Sequence, residues 1–311
     1  MKHSNISIFI PHIGCPHCCS FCNQHIISGE KHIPDIKSIL DNVSLNGDET
    51  EIAFFGGSFT AIPNMMEYLE IVQLYLKQGY KGIRISTRPD CINEKILETL
   101  LSYNVTAIEL GAQSFSDEVL TANERGHTSQ DIVNASKLIK SYGFELGLQM
   151  MTSLYKSTKD LDLYTANEII KLKPETVRIY PVVVLKGTKL AELFFKGEYK
   201  LCSFEECSEL CADLLYDFHK EDIKVIKCGL HASEFVKSEM VAGFYHPAFR
   251  ELAEGRVYKK LIRKPGIFAI GEKCLSKAIG HGNKSYFKEL GADIVTSKDL
   301  GIFEIIQQSV T

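Results

Sequence analysis

The 311-residue chain has no long apolar run and no excess of charge of either sign. Its longest apolar stretches, such as residues 6–10 and 182–185, fall far short of the roughly 20 residues that cross a bilayer. The apolar stretch near the N-terminus is also too short for the core of a secretory signal. A formal net charge of −4 gives no sign of a polyanionic partner. We therefore expect a cytoplasmic protein without membrane attachment.

The sequence also lacks repeats, low-complexity tracts and linkers rich in Pro or Ser. Its content of 45% hydrophobic and 24% charged residues is typical of globular proteins and excludes disordered and collagen-like classes. A chain of this length buries a substantial core without covalent crosslinks.

Short apolar segments alternate with amphipathic segments over the first 200 residues. The pattern predicts strands at residues 6–10, 51–55, 82–87, 106–110, 144–151 and 176–184. It predicts helices at residues 64–78, 92–101, 130–142 and 159–171. Strands that alternate with helices favour a parallel sheet, and six such units predict a partial (β/α)6 TIM-like barrel of the α/β class. In such barrels the active site lies at the carboxyl ends of the strands.

The alternation weakens after residue 200. Helices are predicted at residues 204–220 and 247–262, and short strands at 224–228 and 267–271. We therefore predict two parts, a core barrel at residues 1–200 and a small α+β C-terminal extension at residues 201–311.

Four of the ten cysteines lie in one short loop. Cys15, Cys19 and Cys22 have the spacing C-x3-C-x2-C, and thiolates are the ligands of iron–sulfur clusters. Three ligands would leave one iron of a cubane open, as a catalytic metal requires. The additional Cys18 leaves other interpretations open: two abutting zinc knuckles, an electron-transfer cluster with four cysteines, or four structural cysteines.

This cysteine spacing, with Phe21 before the last cysteine, resembles the radical S-adenosylmethionine (SAM) enzymes. The resemblance implies that Cys15, Cys19 and Cys22 hold a [4Fe–4S] cluster whose fourth iron chelates SAM. It also implies that an electron from the cluster cleaves SAM to methionine and a 5′-deoxyadenosyl radical, which abstracts hydrogen from the substrate.

Later motifs resemble the SAM-binding positions of the same family. Gly56, Gly57 and Ser58 follow a predicted strand, where glycines let the backbone approach a ligand closely. The resemblance implies that they bind the SAM amino group. It also implies that Gln113 binds the SAM ribose and that Arg125 pairs with the SAM carboxylate.

Two further positions depart from the family pattern. Ser86 stands where relatives often carry a ribose-binding Glu, and Gln149 stands where some carry Asp. We include both as candidate SAM contacts. Tyr180, at the end of the sixth predicted strand, is expected to face the substrate space or to pack in the barrel.

A closer likeness is to the radical SAM half of the Elongator catalytic subunit and its bacterial relatives, over roughly residues 6–290. The motifs that carry it lie at residues 55–59, 87–90, 109–114, 125–128, 178–181, 186–188 and 246–252. That subunit modifies wobble uridines of tRNA with SAM and acetyl-CoA. The resemblance implies a tRNA substrate and an electron donor of the flavodoxin or ferredoxin type. An acetyltransferase domain has no room in 311 residues, which leaves two alternatives for acetyl-CoA: the reaction differs from that of Elongator, or a partner supplies the missing part. Two alternatives remain, a radical enzyme acting on a small molecule or porphyrin and a non-catalytic cluster-binding or RNA-binding protein.

Residues 256–288 contain nine Lys or Arg residues and a single acidic one. With Tyr258, Phe268 and Tyr286 interleaved, this segment is a candidate surface for following an RNA backbone and stacking on bases. The alternative is an ordinary solvated helical face.

Outside the loop, Cys207 and Cys211 have helical spacing, and Cys228 and His231 follow a predicted strand. These four residues are candidates for a second metal site or for small buried side chains.

Overall fold

The fold is taken from a computed structural model that describes residues 4–10, 15–23, 34–43, 50–230 and 234–308. His231 therefore lies outside the described residues. None of the helices in the described segments is long and apolar enough to span a bilayer.

The strands are, in chain order, Ser4–Ile10 (β1), Thr50–Gly56 (β2), Gly82–Thr87 (β3), Val105–Gln113 (β4), Glu145–Thr152 (β5), Thr176–Pro181 (β6), Val183–Leu185 (β7), Lys224–Cys228 (β8), Met240–Gly243 (β9), Gly266–Gly271 (β10), Ala292–Ser297 (β11) and Ile305–Gln308 (β12). The α-helices are Ile36–Asp41 (α1), Met65–Leu76 (α2), Glu94–Ser102 (α3), Asp117–Ala122 (α4), Ser129–Ser141 (α5), Lys159–Leu172 (α6), Lys189–Phe195 (α7), Phe204–Lys220 (α8), Glu234–Glu239 (α9), Phe249–Leu261 (α10), Leu275–Ile279 (α11) and Asn283–Leu290 (α12).

Seven strands form one parallel sheet in the order β1-β2-β3-β4-β5-β6-β8. Strands β1 and β8 are opposite edges of this sheet, so the barrel is open. This confirms the predicted partial TIM-like barrel. The seventh strand, β8, comes from the segment predicted to form the extension, so the sheet draws on both sides of residue 200.

The sheet strands are buried on both faces, as parallel strands between a barrel interior and covering helices must be. Ile8, Ile52 and Ile83 are fully buried, and they belong to one large core cluster. Helices cover the outer face with apolar stripes, of which Leu69 and Val72 of α2 are examples.

The predicted strand at residues 176–184 is wrong as a single element. Strand β6 ends at Pro181, and β7 leaves the main sheet to pair antiparallel with β9. The Val182 N–H donates to the Thr152 carbonyl, and the Phe244 N–H donates to the Val182 carbonyl. Gly243 permits this exit because a Cβ there would lie 2.5 Å from the Val182 oxygen.

The remaining strands form a small three-stranded sheet in the order β11-β10-β12. Helix α10 lies against α8, and Arg256 and Lys260 of α10 form ion pairs with Glu209 of α8. The extension is thus joined to the helical layer of the barrel.

Candidate functional site

A cavity of about 260 Å³ lies where the carboxyl ends of the sheet strands meet the cysteine loop. Its wall is formed by Ser7, Phe9, Phe21, Cys22, Phe55, Gly56, Ser86, Gln113, Gln149, Met151, Arg178, Tyr180, Pro181, Val183, Leu185, Lys227 and Leu230. All seven strands of the main sheet contribute to it. The site therefore lies at the end of the barrel that the topology predicts.

The cysteine loop distinguishes three of its thiols from the fourth. Cys15, Cys19 and Cys22 are partly buried, whereas Cys18 is exposed. This difference matches the assignment of the first three as cluster ligands.

Ser20 anchors this loop, and nothing in the sequence motif indicated that role. Its backbone N–H donates to the carbonyl of the buried Asn123 at 3.1 Å, and its Oγ donates to Asn123 Oδ1 at 2.8 Å. The Leu190 N–H in turn donates to the Ser20 carbonyl at 2.8 Å. These bonds fix the middle of the loop between α4 and α7.

Across the described segments, no three His, Cys, Asp or Glu side chains converge as the ligands of a single metal ion do. A cubane has a different geometry, because each cysteine binds a different iron. The loop cysteines therefore need not converge on one point to hold a cluster.

Gly56 and Gly57 bring strands β1 and β2 into close contact beside the loop. A Cβ at Gly56, where φ is +109°, would lie 2.2 Å from the Ile10 carbonyl oxygen. The Gly57 N–H donates to that same oxygen at 2.9 Å. Only glycine satisfies both the backbone angle and the contact, and Gly56 thereby becomes part of the cavity wall.

Ser58 links the glycines to the cysteine loop and to the end of β3. Its backbone N–H donates to the Cys15 thiol, and this partly opposes the burial that raises the Cys15 pKa. Its Oγ is 2.8 Å from Thr87 Oγ1 and accepts from the Arg88 N–H at 3.3 Å. The Ser58 side chain is buried and does not line the cavity.

Gln113 reaches the cavity through an irregularity at the end of β4. The register with β5 shifts between Gly111 and Gln113, and Gln113 has a φ of +68°. A Cβ at Gly111 would lie 3.0 Å from Gln113 Nε2, so glycine leaves room for the amide. Gln113 Oε1 is buried without a hydrogen-bond partner among the described residues. A buried orphan acceptor on a cavity wall indicates a ligand that donates to it.

Arg125 connects β4 with the cysteine loop. Its Nη1 donates to Cys19 Sγ at 3.0 Å, and its Nη2 donates to the Gly111 carbonyl at 2.5 Å. Arg88 donates to the Arg125 carbonyl and holds Asp90 through two bonds of 2.9 Å. Arg125 Nε is buried without a partner among the described residues, so the guanidinium retains one donor for a ligand.

His127 lies beside this arginine and is buried. Burial, together with the charges of Arg125 and Arg88, lowers its pKa to about 4. The ring is therefore neutral at physiological pH, and its Nε2 lies 3.4 Å from the Ala112 carbonyl oxygen.

A polar network lines the opposite wall of the cavity. Gln149 Nε2 donates to Ser86 Oγ at 3.3 Å and to Glu109 at 2.9 Å. Arg178 donates twice to Glu109, at 2.6 and 2.9 Å, and its guanidinium lies 4.7 Å from the centre of the Phe55 ring. Gln149 and Ser86 are thus satisfied by each other and by the network, unlike Gln113.

Below this network, the fully buried Arg84 pairs with three carboxylates, those of Glu51, Glu109 and Glu145. A protein interior tolerates charged side chains when opposite charges and hydrogen bonds compensate them. Arg84 and Arg178 therefore fix Glu109, which positions Gln149.

Lys227 is the cation of the wall that lacks a partner among the described residues. It is half-buried, and burial lowers its pKa, with Arg178 and Arg250 adding to the effect. An unpaired, partly desolvated ammonium is a site for an anion. Sequence reasoning missed it because Lys224 and Lys227 of β8 look equivalent, and the irregular register that pairs Lys227 with Arg178 of β6 cannot be seen in the sequence.

The sequence matches the Radical SAM superfamily over residues 9–163 and the Radical_SAM C-terminal domain over residues 174–259. The chain belongs to the radical SAM superfamily. It is 36% identical to a tRNA uridine(34) acetyltransferase of Methanocaldococcus jannaschii over 129 residues, which are 40% of this chain and 24% of that protein. It is 32% identical to an uncharacterised protein of the same organism, over 69% of this chain and 67% of that one.

The fold is also similar to that of Elp3 from Methanocaldococcus infernus. That comparison has a TM-score of 0.67 at 22% identity, and it covers 90% of this chain and 69% of the archaeal one. The chain spans about a quarter of the acetyltransferase that it matches.

This radical SAM protein belongs to a family that uses a [4Fe–4S] cluster and SAM, and its residues fit both groups. The three half-buried cysteines supply thiolates, and Arg125 donates to one of them. Gln113, whose Oε1 is the orphan acceptor, lies on the wall of the same cavity as Cys22, and a ligand with hydroxyl or amine donors would satisfy it. Of the predicted site residues, those on the cavity wall are Cys22, Gly56, Ser86, Gln113 and Gln149. Those off the wall are Cys15, Cys19, Gly57, Ser58 and Arg125.

The basic segment 256–288 differs from its expected form. Tyr258 and Phe268 are buried, so the expectation that they stack on bases is wrong. Lys259 lies 5.0 Å from the centre of the Tyr286 ring, and Lys260 is ion-paired with α8. Much of the local positive charge is therefore used within the fold.

Proposed function

We propose that this radical SAM enzyme modifies RNA, with a uridine of tRNA as the substrate. The observation that carries the proposal is the cavity whose wall includes Cys22 and Gln113 together with Arg178 and Lys227. A cofactor and a substrate that bind in the same cavity would be close enough for direct hydrogen abstraction. The names of relatives, above all tRNA uridine(34) acetyltransferase, support the choice of RNA.

When bound, the cluster and SAM supply the radical that abstracts hydrogen. The protein's own residues hold and shield the reactants. Arg125 orients the Cys19 thiolate, and Gln113 Oε1 accepts from the ligand beside it. Phe9, Phe21 and Met151 give the wall an apolar surface that excludes water from a reactive intermediate.

The substrate side combines cations with aromatic rings. Arg178 is held rigidly by Glu109, whereas Lys227 is free among the described residues to pair with a phosphate. Phe55 and Tyr180 offer ring faces or edges to a base, and RNA bases that leave their stack are bound by such rings. The proposal also includes a cytoplasmic location and an electron donor of the flavodoxin or ferredoxin type.

The decisive experiment compares tRNA nucleosides by mass spectrometry in cells with and without this gene. We expect one modified uridine to disappear on deletion and to return with the wild-type gene. Cys19→Ala should fail to restore it, because a cluster of about four iron and four sulfide per chain needs all three cysteine ligands. Cys18→Ala, at the exposed cysteine, is the matched control and should restore it.

Identical nucleosides in both strains would contradict the tRNA proposal. Loss of the cluster in the purified Cys18→Ala protein, as complete as in Cys19→Ala, would contradict the ligand assignment instead.

A further inference from the structure

The start of helix α8 brings two cysteines together. Ser203 caps the helix, since its Oγ accepts from the Glu206 N–H at 3.1 Å while the Glu206 carboxylate accepts from the Ser203 N–H at 2.7 Å. With such a capping box, the side chain of the residue before the cap often packs against the side chain of the fourth helical residue. Those residues are Cys202 and Cys207, and their sulfurs contact consecutive residues: Cys202 Sγ lies 3.6 Å from Ser153 Oγ and Cys207 Sγ lies 3.9 Å from Thr152 Oγ1.

The two thiols differ in access. Cys202 is exposed, and it borders a second cavity, of about 430 Å³, together with Ser157 and Lys159. Cys207 is fully buried behind it. A small reagent can therefore reach Cys202 from solvent, and Cys207 is reached through Cys202.

The surroundings favour a thiolate at Cys207. Hydrogen bonds from Cys202 and then from Cys211 lower the Cys207 pKa, and Thr152 Oγ1 lies 3.9 Å from its sulfur. The same thiol–thiol bond raises the pKa of Cys202.

We propose that Cys202 and Cys207 form a reversible dithiol–disulfide site that exchanges with small disulfides. The site stands apart from the proposed function, because neither residue lines the barrel cavity.

The exchange has two balanced steps. Cys207 acts as the base that takes the Cys202 proton, Cys202 Sγ attacks a disulfide RSSR, a Cys202–SR bond forms, and RS⁻ is released. The Cys207 proton passes to this RS⁻ to give RSH, the Cys207 thiolate attacks Cys202 Sγ, the Cys202–Cys207 bond forms, and the second RS⁻ leaves. The protein loses two electrons and the Cys202 proton, RSSR gains them, and the second RS⁻ takes a proton from water.

Cys207 has a second neighbouring cysteine with which it could form a disulfide. Cys211 is one helical turn from Cys207 and is hydrogen-bonded to Cys207 and to Cys228. Cys207, Cys211 and Cys228 are all buried, so a reagent meets Cys202 first. This order of access favours a Cys202–Cys207 product.

The test uses reconstituted full-length protein, incubated without oxygen with oxidised glutathione, then denatured and alkylated. One tryptic peptide, residues 201–220, contains Cys202, Cys207 and Cys211. We expect a peptide that is two hydrogen atoms lighter than the reduced form and alkylated at Cys211 alone. Cleavage after Glu205 or Glu206 should leave its two halves joined until dithiothreitol separates them.

Cys202→Ser should abolish the disulfide. Because Cys202 is exposed, this substitution should not destabilise the hydrophobic core. Cys211→Ser should retain it, because Cys211 is not a partner. A peptide alkylated at all three cysteines after oxidant would overturn the proposal. A disulfide that contains Cys211 in the wild-type protein would overturn it as well.

Discussion

At the scale of single residues, Arg125 connects the cysteine loop with the end of β4. Its guanidinium is bound to Cys19 and Gly111, and its Nε is left for a ligand. We expect Arg125→Ala to weaken SAM binding by about 1.5–3 kcal/mol, the value of a hydrogen bond to a charged group. Equilibrium dialysis of the reconstituted variant measures this, with the exposed Arg263→Ala as control. Unchanged SAM affinity at normal iron content would refute the carboxylate role.

Lys227 offers a matched comparison within one strand. Lys227→Met removes an unpaired cation from the cavity, whereas Lys224→Met removes an exposed lysine of the same strand. We expect only the first to weaken tRNA binding, and to reduce the salt slope by about 0.7–0.9 if one phosphate contact is lost. Filter binding over a salt series measures both effects. Equal losses of tRNA affinity in the two variants would show that Lys227 acts only through its charge and not through a specific contact.

His127 predicts a pH dependence of stability. Its pKa is about 4 in the fold and 6.5 in the unfolded chain, so only the unfolded chain takes up a proton as the pH falls below 6.5. The free energy of unfolding should therefore decrease from about pH 6.5 towards pH 4, by about 2 kcal/mol at pH 5. Urea unfolding of His127→Gln should show a pH dependence smaller by that amount, whereas the exposed His281→Gln should resemble wild type. A His127→Gln profile parallel to that of wild type would contradict the burial argument.

At the scale of elements, the junction of β1 and β2 is the most constrained feature beside the site. Gly56→Ala would combine a φ of +109° with a Cβ 2.2 Å from the Ile10 oxygen, and we expect it to cost about 3 kcal/mol or more. Gly143→Ala has a similar φ of +81° but no atom within 4 Å, so about 1–2 kcal/mol is expected. Urea unfolding gives both values. Equal costs would mean that backbone angle alone, and not the contact with β1, requires glycine at 56.

The regular elements could be predicted from the sequence where periodicity and capping agree. Helix α8 and strands β3 and β8 have the predicted bounds, because each combines a clear pattern with a polar boundary. Helix α4 was missed because it has only six residues, too few to show a helical period, and its start depends on the Ser116 cap. Strand β4 extends three residues past its predicted end, because an irregular register carries it to Gln113.

The site was predictable in part. Spacing indicated the cysteines, and the family resemblance indicated the glycines and Gln113, of which Gly56 and Gln113 lie on the cavity wall. Arg178, Lys227 and Phe9 come from strands far apart in the chain, and their meeting depends on sheet order. Composition could not show that Glu109 and Arg178 neutralise each other, because such pairing is set by distances across the barrel.

At the scale of the whole molecule, the positive charge of the extension divides into two groups. Arg256, Lys260 and Lys277 are committed to acidic partners within the fold. Within residues 256–288, the exposed lysines without an ion pair to a described residue are Lys264, Lys273, Lys284 and Lys288. If the extension contacts the RNA backbone, this second group must supply the charge.

Changing these four lysines to Ser should therefore weaken tRNA binding and flatten its salt dependence, because each lost phosphate contact reduces the slope by about 0.7–0.9. The matched control changes four exposed lysines on the helical side of the barrel, Lys77, Lys81, Lys95 and Lys137, so that net charge falls equally. Filter binding of bulk tRNA over a salt series distinguishes a local contact from overall charge. SAM cleavage without substrate should persist in both proteins, since none of these residues lines the cavity. If both sets of changes reduce the slope equally, the extension has no specific role, and the cavity cations Arg178 and Lys227 become the principal RNA contacts.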